Sequence, residues 1–304
     1  VQGYAQVALA AVLWGTLGLA ARRLFAAGLT PLDTATWRAT GAFVALLIFG
    51  LLTNRGALFV ARRDLTLLAA YGAVSVAGFM TVYFTAIALT TVATAAVLLY
   101  TAPAWVVVLA RLFFGEPLTT MKTSAVGLTF AGSVLVIGAI GPAAVRLTPA
   151  GVLAGLGAGL TYALYSIFGK TALRRLSPLT TVLYTLGFGA ALLIAAARGL
   201  PRLPHASLAP LAYLVIVPTA IAYVLYIRGL KRVEAGRASV VATLEPVVAA
   251  FTGALILREP FGAAQWAGTA LVLAGVVLVQ GEHILRRPGR RHPPGAGVKT
   301  AGRR

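Results

Sequence analysis

Ten apolar runs dominate the 304-residue chain, at roughly 3–21, 33–52, 65–89, 92–114, 120–140, 149–172, 179–197, 208–229, 236–257 and 262–281. An α-helix needs about 20 such residues to cross the hydrocarbon core of a bilayer. Lipid offers nothing to an unpaired backbone N–H or C=O, so repeated runs of this length specify a bundle of closed helices. The chain therefore reads as an all-α membrane protein of ten transmembrane helices. Charged residues make up only 11% of it, against about 25% in soluble domains. The first run opens near residue 3 with neither a basic stretch nor a small-residue cleavage signal before it. The chain begins at Val1 rather than Met, so native residues are expected ahead of it.

The net charge of +19 would point to nucleic acid on a soluble protein. Here the basic residues sit beside helix ends, where they set topology, and the polar face that nucleic acid needs is missing. With the N-terminus inside, 19 Lys and Arg fall on the inner side or tail and 7 on the outer, Arg38 among them. Both termini are expected in the cytoplasm, the chain in an inner membrane. The chain has no cysteine, which excludes disulfides and thiolate chemistry. His205, His283 and His292 lie outside the runs without ligand spacing, so no metal is expected. No Walker A, Gly-x-Ser-x-Gly or zincin motif occurs, so neither a cofactor, a nucleotide-driven pump nor an enzyme is expected.

The chain repeats itself. A shift of 143 places Pro103 on Pro246, Glu116-Pro117 on Glu259-Pro260, Gly132 on Gly275 and Gly138 on Gly281. A shift of 147 places Thr30-Pro31-Leu32 on Ser177-Pro178-Leu179. The expected units are residues 1–142, a second five-helix repeat at 143–281, and a basic disordered cytoplasmic tail at 282–304. Five is odd, so the second repeat enters the membrane upside down. Inverted repeats around a central midplane cavity are an architecture of secondary transporters.

Specific residues carry a resemblance to a known family. They are Trp14-Gly15 midway through the first run, Ala102-Pro103 and Glu245-Pro246 within the fourth and ninth, and the turns Gly115-Glu116-Pro117-Leu118-Thr119 and Arg258-Glu259-Pro260-Phe261. A Gly-rich helix closes each half. Over residues 4–281 the chain resembles the ten-helix EamA-type branch of the drug/metabolite transporter superfamily. Within that branch it is most similar to bacterial exporters of aromatic amino acids and methionine. The resemblance implies an exporter of amino acids, aromatic and large neutral ones.

Glu245 is the acid that lies deep in an apolar run; the other six lie near run ends. A charge at that depth costs about 2.5–3.5 kcal/mol. It reads as a proton-coupling site or a partner for a substrate ammonium; the plainer alternative is a carboxyl that bonds backbone freed by Pro246. Pro103 and Pro246 each remove one helical hydrogen bond and are expected as kinks and hinges, with a static kink as the alternative. Trp14, Phe79, Tyr83, Tyr100, Tyr162, Tyr165, Tyr223 and Tyr226 lie within runs rather than at their ends, where interfacial aromatics gather. As a set they suit a protein-lined cavity for a flat apolar side chain; singly, each also suits core packing. Thr81, Thr101, Thr161, Thr243 and Gln265 could touch polar groups, although Thr in membrane helices commonly bonds its own backbone. Gly151, Gly155 and Gly159 form a close-packing stripe. Trp37 and Trp266 read as interface anchors, and the Glu116 and Glu259 turns as helix caps or terminators, with a gating salt bridge as the alternative.

The expectation is a monomeric carrier of a small-molecule substrate in a lipid bilayer, moving it by alternating access, with protons as the candidate coupling ion. An intramembrane enzyme would need a convergent catalytic set, a channel a continuous polar stripe, and a scaffold no cavity.

Overall fold

Ten helical spans form the protein in a computed structural model that describes residues 2–138, 148–258 and 261–285. They are, from span one to span ten, Gln2–Ala26, Pro31–Thr53, Arg62–Leu89, Thr94–Phe114, Thr120–Ile137, Pro149–Ala172, Pro178–Ala196, His205–Leu230, Ala235–Ile256 and Ala263–Gly281. The boundaries follow the apolar runs closely. Spans one and eight start a turn or less earlier than the apolar runs, and span one runs on to Ala26. The expected unit boundary at 142–143, Glu259-Pro260 and the tail from residue 286 lie outside the described residues.

The outer surface is apolar. Leu112, Leu153, Leu255 and Val277 are 73%, 71%, 79% and 68% exposed. Water would not tolerate that belt, whereas hydrocarbon does. Short Ser or Thr caps start several spans. Thr30 and Asp33 form a reciprocal capping box ahead of Pro31, and Ser177 accepts from the Thr180 N–H ahead of Pro178. Proline fits the first helical turn because its missing N–H would have no partner there.

The local geometry repeats at the same offset as the residues. Wide π-helical turns occupy Ala73–Gly78 in span three and Ile216–Ile221 in span eight. Short helices Val92–Leu99 and Ala235–Ala242 open spans four and nine. Each is followed by a turn and a second helix, Ala102–Phe114 and Leu244–Leu257. Pro103 and Pro246 thus interrupt their spans where a kink was expected. The cause is local: proline clashes with the carbonyl four residues back, and the short helices end at those positions, Leu99 and Ala242. Left-handed residues then end both spans, Gly115 at φ 68° and Arg258 at φ 56°.

Spans five and ten pack against each other backbone to backbone. A Cβ on Gly132 would stand 2.7 Å from the Gly268 oxygen, and one on Gly268 would stand 2.6 Å from the Gly132 oxygen. One on Gly275 would stand 2.9 Å from the Ala125 oxygen. Partners thus descend along one helix as they ascend the other, so the pair is antiparallel. Without a hydrophobic driving force in lipid, such small-residue contact is what holds helices together. Gly151, Gly155 and Gly159 do the same for span six, against Thr90, Leu98 and Thr101.

Gly268→Val is expected to lower stability by about 1–3 kcal/mol, the usual cost of overpacking, because the backbone it meets cannot yield. Gly157→Ala meets open space and should be near neutral. Thermal melts of both variants in detergent check this; equal melting temperatures would contradict the packing account.

Candidate functional site

The interruptions surround one cavity of about 760 Å³. Its wall draws on spans one to four, six, eight and nine. Trp14, Phe79, Tyr83, Tyr100, Tyr162, Tyr165, Tyr223 and Glu245 all line it. Tyr226 does not: it is 3% exposed, one layer behind, where its hydroxyl shares a 2.7 Å hydrogen bond with Ser166. The i, i+3 spacing of Tyr223 and Tyr226 puts them on one helix face, but depth along the span separates lining from support. Pro103 and Pro246 stand outside the wall, in the first turns of the helices that follow the breaks.

The rings form a continuous surface. Phe79 stacks on Tyr83 at 5.6 Å and tilts against Tyr162 at 5.7 Å. Trp14 meets Tyr223 edge-on at 5.5 Å, and Tyr165 meets Tyr223 at 5.2 Å. Such pairs contribute about 0.5–1.5 kcal/mol each beyond area burial, so the wall is stiff. Trp14 Nε1, Thr34 Oγ1 and Ser75 Oγ belong to lining residues, are buried, and have no protein partner. Buried polar atoms are ordinarily satisfied, and these three are exceptions in the wall.

Glu245 sits in the first turn of Leu244–Leu257, at the break in span nine. The Tyr162 hydroxyl donates to its Oε2 at 3.3 Å. Gly15 of span one packs directly on the Glu245 carbonyl, where a Cβ would stand 2.9 Å from the oxygen. That contact lies beside the break of span one at Thr16.

A second charged group lines the cavity, and its place differs from the sequence expectation. Arg38, expected as an outer topology signal, lies about two turns inside span two and faces the same space as Glu245. Its Nε donates to Thr219 Oγ1 at 2.9 Å, and its Nη2 to the Tyr223 hydroxyl at 3.4 Å. The guanidinium also lies 5.6 Å from the Tyr223 ring centre. Closeness to a run end hid this; the signal was a lone Arg flanked by buried Thr34, Ala35, Thr36 and Ala39.

The cavity reaches exposed residues, Phe25, Pro31 and Ala88, at the end of the bundle that carries Gly28 and Thr91. The opposite end of the bundle carries a buried ion cluster. Lys122, 1% exposed, lies 2.9 Å from Glu234 and 3.5 Å from Glu116. Arg237 Nε adds 3.0 Å to Glu234. Glu116 accepts from the Ala235 and Gly236 N–H groups at 2.6 and 3.1 Å, so it caps the start of span nine from the turn after span four. Lys170 Nζ donates to the Leu230 and Val233 carbonyls at 2.7 and 2.5 Å. The sequence reading took these cations as topology signals and weighed a salt bridge at the Glu116 turn only as an alternative to a cap. Thr81, Thr101, Thr161 and Thr243 bond carbonyls of their own helices. Gln265 accepts from the Gly262 N–H. Trp37 donates to the Pro201 carbonyl, and Trp266, 58% exposed, packs with Phe251 and Phe261.

Burial pushes the Glu234 carboxyl up, but the hydrogen bond and charge of Lys122, then Arg237, outweigh it and hold it below its ordinary 4.5. A carboxyl lowered on folding stabilises above its unfolded pKa and loses that contribution as pH falls through its folded one. Melting temperature is therefore expected to drop on acidification below about pH 4.5, and Glu234→Gln to flatten that part of the curve. Lys122→Ala should cost about 1–3 kcal/mol, less than a fully orphaned buried charge, since Glu116 keeps two N–H donors and Glu234 keeps Arg237. Melts in detergent across pH check both.

Comparison with known proteins agrees with this geometry. Residues 1–138 and 149–280 match the EamA-like transporter family. An uncharacterized transporter of Archaeoglobus fulgidus is 34% identical over 283 residues, 91% of this chain and 95% of that protein. An uncharacterized inner membrane transporter of Salmonella typhimurium is 27% identical over 91% of this chain and 95% of its own. A probable terminal-alkyne amino-acid exporter of Streptantibioticus cattleyicolor is 28% identical over 75% of this chain and 79% of its own. One solved crystal structure superposes with a TM-score of 0.80 over 92% of this chain and 97% of that one, at 20% identity, which speaks for the fold alone. With the family match spanning nearly all ten helices, the chain is a member of the EamA-like transporter family.

Proposed function

We propose that the protein is a monomeric secondary transporter that exports amino acids, aromatic and other large neutral ones, from the cytoplasm across an inner membrane. The observation that carries this reading is a cavity lined by seven of the eight mid-span aromatics, reaching one end of the bundle while a buried ion cluster occupies the other. The relative from Streptantibioticus cattleyicolor is described as an amino-acid exporter, and the one from Salmonella typhimurium as an inner membrane transporter. Both descriptions agree with it.

The end with the ion cluster carries Arg55, Arg62, Arg63, Arg174, Arg175, Arg228, Lys231 and Arg232. By the positive-inside rule it is the cytoplasmic end, so the open mouth faces outward and both termini lie inside. The halves at 1–142 and 143–281 are inverted repeats: their matching breaks at one offset and the antiparallel pairing of spans five and ten support this. Alternating access then follows from the halves exchanging conformations around one site. Export requires the Lys122–Glu116–Glu234 cluster to part so that cargo enters from inside. The breaks at Pro103 and Pro246 are the hinges, since a short helix can swing on a turn where a continuous one cannot.

Side-chain rings of the cargo stack on Phe79, Tyr83 and Trp14. Glu245 is the coupling or ammonium-binding group, with protons as the coupled ion. Phenylalanine counterflow in proteoliposomes should saturate and be competed by unlabelled phenylalanine. A linear rate indifferent to excess phenylalanine would overturn a carrier for this cargo. Tyr83→Ala or Trp14→Ala is expected to weaken apparent affinity about three- to tenfold, the worth of one aromatic contact, with expression retained. Glu245→Gln should alter the pH dependence of transport; superimposable profiles for variant and parent would remove Glu245 from coupling.

A further inference from the structure

Two opposite charges line the same cavity and neither has an ionic partner among the described residues. Arg38 is held by Thr219 and Tyr223, Glu245 by Tyr162. An unpaired charge at membrane depth is expensive, and such groups ordinarily pair with each other or with what they bind. Here the protein keeps them on different walls: Arg38 between spans two and eight, Glu245 between spans six and nine.

The Arg38 side chain is also aimed. Pro218 has no N–H for the Leu214 carbonyl, and the Thr219 hydroxyl takes that carbonyl instead, at 2.6 Å. The same hydroxyl oxygen then accepts from Arg38 Nε at 2.9 Å. The π-helical turn Ile216–Ile221 creates this arrangement, and such turns gather at functional sites. With Nε fixed by Thr219 and Nη2 touching Tyr223, Nη1 has no acceptor among the described residues. A guanidinium fork oriented in this way matches a carboxylate, which it can grip with two parallel hydrogen bonds.

We propose that Arg38 is the carboxylate-binding residue of the cavity and that, with Glu245 receiving the ammonium group, it selects zwitterionic cargo over amines and acids. This rests on the cavity being an amino-acid transport site. Arg38 supplies the end of the cargo that every amino acid shares, and the aromatic wall supplies the preference among side chains. Thr219 and Tyr223 are positioning residues that act through Arg38.

The test compares phenylalanine, phenylalaninamide, which lacks the carboxylate, and 3-phenylpropionate, which lacks the ammonium, in counterflow and competition with reconstituted parent, Arg38→Gln and Arg38→Lys proteins. The parent should prefer phenylalanine to the amide at least about tenfold, and Arg38→Gln should weaken phenylalanine by about 10- to 100-fold, the worth of hydrogen bonds to a charged group. The amide should stay within about threefold of its parent value in Arg38→Gln, which also shows that the variant is folded. Arg38→Lys should keep part of the preference, because it keeps the charge without the fork. If Arg38→Gln does not fold, the parent's own ratio of phenylalanine to amide decides. A parent that carries both equally well, or an Arg38→Gln protein that loses both equally, overturns the carboxylate role and leaves the amino-acid transporter standing. A parent that saturates with none of the three overturns both.

Discussion

A backbone carbonyl inside hydrocarbon must have a donor, and four of the span interruptions here meet that demand with a threonine hydroxyl. Thr16 donates to Leu13 at the break in span one, Thr101 to Leu98 in span four, Thr219 to Leu214 in span eight and Thr243 to Val240 in span nine. Lipid-facing irregular backbone is not tolerated, but irregular backbone that lines protein or a cavity is. The breaks therefore fall where helices face one another, around the central space. Their cost is offset locally, which lets the bundle keep a hollow instead of closing it with continuous helices.

Two kinds of contact hold the remainder. Along the outside of the cavity, small residues bring backbones together: Gly132 with Gly268, Gly275 with Ala125, Gly15 with Glu245, and Gly159 with Leu98 and Thr101. These seams are narrow and unyielding. At one end, charge replaces packing. Lys122 is 1% exposed and shared by two carboxylates, and Glu116 spends its own oxygens on the first N–H groups of span nine. A helix N-terminus and a cation together neutralise that carboxylate. Ion pairs of this kind contribute little net stability when buried, since desolvation opposes their attraction, but they have discrete made and broken states.

The cavity wall divides its tasks by chemistry. Rings on spans one, three, four, six and eight provide a flat apolar surface, while Arg38 and Glu245 provide the two charges. Each charge is fixed by an aromatic hydroxyl, Tyr223 for Arg38 and Tyr162 for Glu245. The tyrosines thus serve as surface and as scaffold, which explains why so many lie at mid-depth rather than at the interfaces.

Much of this was legible in the residues alone. Apolar length set the ten spans because hydrocarbon thickness is fixed, and Pro103 and Pro246 set the breaks because a ring cannot donate and collides with the carbonyl four residues back. The offset of 143 paired Pro103 with Pro246 in the sequence, and the left-handed ends Gly115 and Arg258, which the sequence reading did not expect, stand at the same offset. The mid-span aromatics announced a lined space. Other features needed the tertiary structure. Hydropathy gives distance along a helix but not which neighbour a face meets, so Arg38 near a run end looked like a topology signal, and Lys122 and Arg237 looked like others. Tyr226 shares a helix face with Tyr223 yet stands behind it, because a turn of depth decides whether a side chain meets the cavity or its backing. Periodicity is a property of one helix, whereas a cavity, an ion cluster and a pair of separated charges are properties of several helices brought together.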